Sequence, residues 1–385
     1  MALIIDDLPD DWRSALLLGR VLLPEGPTPV LVREGRMIDI SGFAATTADA
    51  LMRDDLATAQ GRDLGAIDEM DFKVEWDAAS TGLDLLSPID LQCIKASGVT
   101  FAVSALERVI EERARGDADA ANAIRDNLKD RIGGDLASVK PGSEQAATLK
   151  AVLIADGLWS QYLEVAIGPD AEIFTKAPVL SSVGWGDWVG IRSDSAWNNP
   201  EPEVVIICDP LGRPVGASLG NDVNLRDIEG RSALLLGKAK DNNASAAIGP
   251  FIRLFDDGFS MDDVRDAVIA LEVRGEDQFV MRGESSMRLI SRDPEDLVRQ
   301  ASGPAHQYPD GFALYLGTMF APIDDREAPG KGFTHKPGDV VRVSTPRLGA
   351  LENKVARCED APPWTTGVLA LMRNLAGRGL LGVSA

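Results

Sequence analysis

Three carboxylates and a lysine between residues 201 and 240 have the types and spacing for chemistry. Glu201 and Glu203 open the run Glu201-Pro202-Glu203-Val204-Val205-Ile206-Ile207, whose β-branched residues predict a strand. Side chains two apart on a strand point to one face, so both glutamates can converge on one ion. Pro202 near the strand start costs little, because a missing ladder donor is tolerated there. Gly212-Arg213-Pro214 predicts a turn, and Val215 to Leu219 a returning strand that would bring Asp222, in Gly220-Asn221-Asp222-Val223, beside the glutamates. Three hard oxygen ligands without His or Cys suit Mg²⁺ or Mn²⁺ and disfavour zinc. Lys240, in Lys240-Asp241-Asn242-Asn243, adds a lysine within the same stretch; burial would lower its pKa and the three carboxylates would raise it, so its charge is undecided from sequence. The alternative is a solvated acidic hairpin, since Glu-x-Glu pairs are common on exposed strands.

The surrounding chain reads as mixed and β-dominated. Arg20 to Leu23 and Val30 to Val32 flank Pro24-Glu25-Gly26-Pro27, a hairpin by its turn residues, and Met37 to Ile40 follows as a third strand. This predicts a small β-rich N-terminal domain, with its linker, over residues 1–85, and a larger catalytic domain over 86–385. Residues 53 to 88, polar and rich in Asp and Gly, read as the linker. Ser104 to Arg115 has helical apolar spacing with acids and bases on the other face. Residues 116 to 160 read as mostly helical, broken at Gly133-Gly134 and Pro141-Gly142. Short strands are expected at 92–95, 172–176, 268–273, 279–282, 312–316, 340–343 and 348–355.

With 385 residues, the chain is long enough for a large buried core. A net charge of −21 argues against a general nucleic-acid or anionic-membrane surface, although a bound dication can reverse the local sign for a small anionic substrate. The three cysteines are widely spaced and form no CxxC pair, which fits reduced thiols in a cytoplasm. The acidic start, MALIIDDLPDDW, does not resemble a signal peptide, and no apolar run approaches the ~20 residues of a membrane span.

These motifs, taken in order, resemble the fumarylacetoacetate hydrolase superfamily. The Glu201/Glu203 pair, Asn221-Asp222-Val223, and Lys240 ahead of Gly249-Pro250 fit its pattern, as do Ile173 to Lys176, Gly317-Thr318 and Lys336-Pro337-Gly338-Asp339. Together they cover roughly residues 90 to 360. The resemblance implies an α+β, β-dominated fold with a mixed β-roll catalytic domain. It also implies a homodimer or dimer-based homo-oligomer, and Mg²⁺ or Mn²⁺ on Glu201, Glu203 and Asp222. Longer runs, including TFAVSALERVIEERARGD and GNDVNLRDIEGRSALLLGKAKDNNAS, are similar to the branch that dehydrates 2-keto-3-deoxy-D-xylonate to 2,5-dioxopentanoate in pentose catabolism.

That branch implies a hydro-lyase acting on a small 2-keto sugar acid through a metal-stabilised enolate and loss of the C4 hydroxyl. Lys240 is then the first candidate for proton transfer at C3 or for holding the enolate, and Glu172 the second, at C3 or C4. Ser104, Gly317 and Thr318 are candidate substrate-binding residues. Hydrolases of the superfamily carry a His-x-x-Glu dyad; here Ser104 stands at the histidine position and Glu107 is retained. The alternative reading is an acylpyruvate or diketone hydrolase, or an oxaloacetate decarboxylase, of the same superfamily.

Overall fold

The computed structural model describes residues 4–115, 117, 139–320, 322, 325–326 and 332–382. Its centre is the antiparallel pair Pro202–Cys208 and Pro214–Asp222, in which Glu203 faces Gly220 and Pro202 faces Asn221. Val204, Ile206 and Cys208 point into one buried cluster, and Val205 and Ile207 into another on the opposite face. Burying both faces explains the unbroken apolar run, because strand side chains alternate sides. Each such side chain contributes about 1.5–3 kcal/mol of transfer free energy, enough collectively to offset the several kcal/mol per ion that burying Glu201 and Glu203 beside them costs.

The pair lies within an eleven-stranded sheet. On one side follow Ala246–Leu254, Leu17–Leu23, Gly26–Arg33, Arg36–Asp39 and Arg62–Ala66, all antiparallel. On the other, Phe312–Tyr315 pairs with Pro202–Cys208, Cys93–Gly98 runs parallel to Phe312–Tyr315, and Glu172–Ala177 closes the edge. A five-stranded sheet, in the order Val280–Ser286, Val268–Arg274, Val340–Thr345, Gly349–Arg357 and Trp188–Ile191, packs against the large one. Ile269, Leu271, Val341, Val343 and Leu351 share a core cluster with Val204 and Ile206. This is the mixed, β-dominated fold that the sequence predicts.

The N-terminal hairpin forms as expected, and Leu17–Leu23 is hydrogen-bonded directly onto Ala246–Leu254. Residues 53–88, read as a linker, hold two short strands, Arg62–Ala66 and Asp84–Leu86, that extend the same sheet. Arg62–Ala66 is polar and contains Gly65, and Asp84–Leu86 is only three residues long, so neither carries an alternation and register with neighbours makes them strands. The predicted helix at 104–115 is found as Ala102–Ala114, packed on Gln161–Ile167 through Ala105, Leu106, Val109 and Ile110. Of the helical reading for 116–160, Glu144–Ala155 is a helix, whereas the break at Gly133-Gly134 lies outside the described residues. No helix among the described residues is long and apolar enough to cross a membrane.

Candidate functional site

Glu201 and Glu203 share the face of their strand that carries Val205 and Ile207, and the returning strand brings Asp222 alongside, its backbone N–H donating to the Glu201 carbonyl at 3.0 Å. All three carboxylates are buried, and one oxygen from each lies within 4.8 Å of the others. The solvated-hairpin reading is therefore excluded. The set fits one hard divalent ion in number, charge and donor type.

Lys240, buried at the end of the short helix Leu236–Lys240, places its ammonium on Glu201 Oε2 and, at 3.0 Å, on Asp222 Oδ2. Burial alone would lower its pKa, but Asp222, Glu201 and Glu229 overrule that and hold it above the ordinary lysine value. Sequence reasoning leaves its charge undecided; in this arrangement it is an ammonium.

Glu172, at the start of the edge strand, is partly buried, and burial raises its carboxyl pKa. It pairs in register with Gly98, where a β-carbon would stand 2.0 Å from Glu172 Oε2. Glycine at 98 therefore makes room for this carboxyl.

Gly317 and Thr318 lie beside the metal ligands. The Gly317 N–H donates to Glu203 Oε2 at 2.7 Å and the Thr318 hydroxyl to Glu203 Oε1 at 3.2 Å. Gly317 has φ +102°, and a β-carbon there would meet Thr100 Oγ1 at 2.0 Å, so only glycine brings this N–H to the carboxylate. Both donors thus hold Glu203 in this structure. Ser104 is buried, and its hydroxyl donates to the Phe101 carbonyl at 2.8 Å, one turn back on its own helix.

Five residues around the ligands, Lys176, Arg108, Arg226, Glu111 and Glu229, were given no role from sequence. Lys176 is fully buried, with Nζ 2.9 Å from Asp222 Oδ1 and also donating to the Lys240 carbonyl. Burial lowers its pKa despite the Asp222 charge. Arg108 reaches Glu201 Oε1 at 2.5 Å, and Glu111 and Glu229 at 2.7 Å each. Arg226 binds Glu111 at 2.6 Å and Glu107 at 3.1 Å, and its guanidinium lies 4.4 Å from the Trp197 ring centroid. The outcome is a buried chain of alternating sign: Glu107, Arg226, Glu111, Arg108, Glu201, Lys240, Asp222, Lys176. The available signal was the spacing of Glu107, Arg108 and Glu111 on one helix, which resembles an ordinary solvated face.

The electrostatics point to a missing positive charge. Glu107, Glu111, Glu201, Glu203, Asp222 and Glu229 are six buried carboxylates, against the four cations Arg108, Lys176, Arg226 and Lys240. Burial would raise Glu201, but Lys240 and Arg108 hold it down at about 2. Glu203 is pushed well above its ordinary value by burial and by the neighbouring Asp222 and Glu201 charges. Burial raises Glu229 to about 7. A divalent ion would offset the two excess charges.

Neither histidine offers a water-activating base at the site. His306 is exposed; His335 is buried, with Nδ1 3.0 Å from Asp339, which also binds Arg326. Glu107, the retained half of the hydrolase dyad, is bound by Arg226. Trp185 and Trp197 are buried, and the Trp185 indole donates to Asp7 at 2.7 Å.

No family model matches the chain. Among curated proteins, it is 30% identical to the 2-dehydro-3-deoxy-D-arabinonate dehydratase of Saccharolobus solfataricus over 189 residues, 48% of this chain and 59% of that one. It is 29% identical over 194 residues to the probable 2-keto-3-deoxyxylonate dehydratase of Haloferax volcanii, covering 50% of this chain and 63% of that one. The chain thus matches about three fifths of the length of each of these relatives. Among solved structures, 2-keto-3-deoxy-D-arabinonate dehydratase complexed with magnesium and 2,5-dioxopentanoate matches with a TM-score of 0.61 and 21% identity, over 89% of this chain and 99% of that one. The 5-carboxymethyl-2-hydroxymuconate delta-isomerase of Mycobacterium smegmatis matches with a TM-score of 0.51 and 19% identity, over 89% and 98%. The chain thus shares its fold with these solved structures, and its ordered motifs resemble those of the fumarylacetoacetate hydrolase superfamily.

Proposed function

We propose that this protein is a Mg²⁺- or Mn²⁺-dependent dehydratase converting 2-keto-3-deoxy-D-xylonate to 2,5-dioxopentanoate. The observation that carries the reading is the buried triad Glu201, Glu203 and Asp222 with the Lys240 ammonium at its edge. The names of the two curated relatives supply the substrate class. Those names converge, because C4 is the only stereocentre left once C2 is a ketone and C3 is deoxygenated. The D-arabinonate and D-xylonate derivatives are therefore one D-pentonate.

Glu201, Glu203 and Asp222 would hold the ion. When bound, it supplies a Lewis acid for the 2-keto oxygen, worth several kcal/mol of charge stabilisation. We assign Lys240 Nζ, an ammonium, to the negative charge that develops on that oxygen as the C3 proton leaves. We assign Glu172 the proton: its carboxylate takes it from C3 and returns it to the departing C4 hydroxyl, which leaves as water. A carboxyl raised by burial is suited to both directions of that transfer. Tautomerisation then moves the C3–C4 double bond toward C5 and yields the aldehyde. Gly317 and Thr318, adjacent to Glu203, are the proposed neighbours of the substrate carboxylate, and Ser104 a further proposed substrate-binding residue.

The hydrolase alternative needs a base that activates water, and this structure supports it less. The Ser104 hydroxyl is engaged with Phe101, and Glu107 with Arg226. The test is incubation with synthetic 2-keto-3-deoxy-D-pentonate and Mg²⁺ in deuterated water. The expected product is a single C5 aldehyde, lighter by one water and labelled at C3 or C4. Efficient cleavage of acylpyruvates with no aldehyde from the pentonate would overturn the reading in favour of hydrolysis.

A further inference from the structure

We infer that Arg108 is the positioning residue for Glu201, the side chain that fixes this ligand's orientation toward the divalent ion. The inference rests on the metal assignment proposed above, and not on the identity of the substrate.

Each carboxylate of the triad has a separate holder. Glu203 is held by the Gly317 N–H and the Thr318 hydroxyl, and Asp222 by Lys176. For Glu201 the holder is Arg108, whose Nη2 takes Oε1 at 2.5 Å while Oε2 stays turned toward Lys240. The guanidinium is itself immobile. Its Nη1 lies 2.7 Å from both Glu111 and Glu229, so Nη2 is left to Glu201. Glu111 is fixed in turn by Arg226, which is buried against Trp197. Glu201 needs such a holder more than its neighbours. It lies at the mouth of the strand, between Pro200 and Pro202, and precedes the first residue of the regular ladder. A glutamate with several free torsions loses more freedom on fixing than an aspartate does. A pre-fixed, planar two-nitrogen donor supplies that order at little further cost.

The arrangement makes an unusual prediction of sign. Arg108 is a cation close to a cation site. If it acted only through its charge, its removal would relieve repulsion and tighten divalent binding. If it positions Glu201, its removal weakens binding, because one ligand becomes free to turn away. Outer partners of metal ligands typically contribute about 10–100-fold in affinity.

The test is Mn²⁺ binding to the full chain, read from the electron paramagnetic resonance signal of free Mn²⁺, with thermal unfolding of each variant measured in parallel. Arg108→Met is expected to bind Mn²⁺ at least about tenfold more weakly than the unsubstituted protein. Arg108→Lys, which keeps the charge but offers a single point in place of a planar fork, is expected to recover only part of that loss. Glu229→Gln, which alters one Nη1 partner but leaves Arg108 on Glu201, is expected to lose clearly less affinity than Arg108→Met. Equal or tighter binding by a folded Arg108→Met overturns the inference. So does a loss in Glu229→Gln as large as that in Arg108→Met, which would show general loosening of the network. Should Arg108→Met fail to fold, Arg108→Lys decides: unsubstituted affinity in that variant also overturns it. Absence of Mn²⁺ binding by the unsubstituted protein overturns the metal assignment and the inference together, and is told apart from the other outcomes by that control.

Discussion

Replacing Lys240 by methionine separates the two things this lysine does, and the structure gives a size for each. Methionine keeps most of the apolar stem but removes the ammonium that touches Glu201 Oε2 and Asp222 Oδ2. Glu201 would then retain Arg108, and Asp222 would retain Lys176, so neither carboxylate is orphaned. Breaking a buried pair costs about 3–5 kcal/mol, and these remaining partners place the expected loss toward the lower end. Unfolding entropy of about 2.1 cal/mol/K per residue amounts to roughly 0.8 kcal/mol/K over this chain, so the loss corresponds to a fall in Tm of about 4–6 °C. Mn²⁺ should return part of it: a ligand at a hundred times its Kd stabilises by about 2.7 kcal/mol, or roughly 3 °C here. Affinity for Mn²⁺ should hold or tighten, because a competing cation has left two ligand oxygens. Turnover should fall by about 10²–10⁴, the usual contribution of a positioned proton-transfer or charge-stabilising group. The assays are thermal unfolding with EDTA and with Mn²⁺, and steady-state kinetics on the 2-keto-3-deoxypentonate. Near-normal kcat would refute the catalytic assignment. An unchanged Tm in EDTA would refute the claim that the ammonium offsets the buried carboxylates.

Glu203→Gln should keep the fold, since the Gly317 N–H can still donate to the amide oxygen and the Thr318 hydroxyl can turn to accept from the amide NH2, yet weaken Mn²⁺ binding by more than about tenfold in a titration. Asp187 accepts from the Gly184 N–H at 2.7 Å, and burial raises its carboxyl to about 8, with Asp84 and Glu75 adding to the shift. Its folded pKa lies above its unfolded value, so the folded state holds a proton the unfolded state has released. Stability from this group is therefore greatest below about pH 4 and is lost as pH rises through about 8. Asp187→Asn should remove that slope and raise Tm at pH 8 relative to pH 5, at about 1.4 kcal/mol per unit of pKa separation; a parallel pH profile in chemical unfolding would contradict the assignment. Asp339 accepts from Arg326 at 2.5 and 2.6 Å and lies 3.0 Å from His335, all buried, so Asp339→Asn should destabilise by about 3–5 kcal/mol, read as a lower urea midpoint.

The metal-ligand geometry was legible in the sequence because it is local. Glu201, Glu203 and Asp222 belong to one hairpin, so strand periodicity and a single turn suffice to bring them together. Lys240 was legible through the ordered motifs, although its charge was not, since that depends on which acids surround it after folding. Strands such as Val340–Thr345 and Gly349–Arg357 announced themselves by alternation and turn residues. Arg62–Ala66 and Asp84–Leu86 did not, because their partners, Arg36–Asp39 and Leu17–Leu23, are remote in sequence and supply the register.

The charges around the ligands were illegible for a different reason. On a helix, Glu107, Arg108 and Glu111 have the composition and spacing of a solvated face, and nothing local distinguishes a face turned to water from one turned to other buried charges. Only the packing of Ala102–Ala114 on Gln161–Ile167 decides it, by committing Leu106, Val109 and Ile110 to one side. The opposite side then faces Glu201, Glu229 and Arg226, all buried. Burying such a face without compensation would cost several kcal/mol per ion. The fold meets that cost by alternation, each acid lying between two bases or at the end of the chain. The same alternation joins Glu107, on the helix, to Glu201, where this chain would hold its ion. A substitution at the helix is therefore expected to reach the metal site through Arg226, Glu111 and Arg108, and one at the hairpin to reach the helix by the same route.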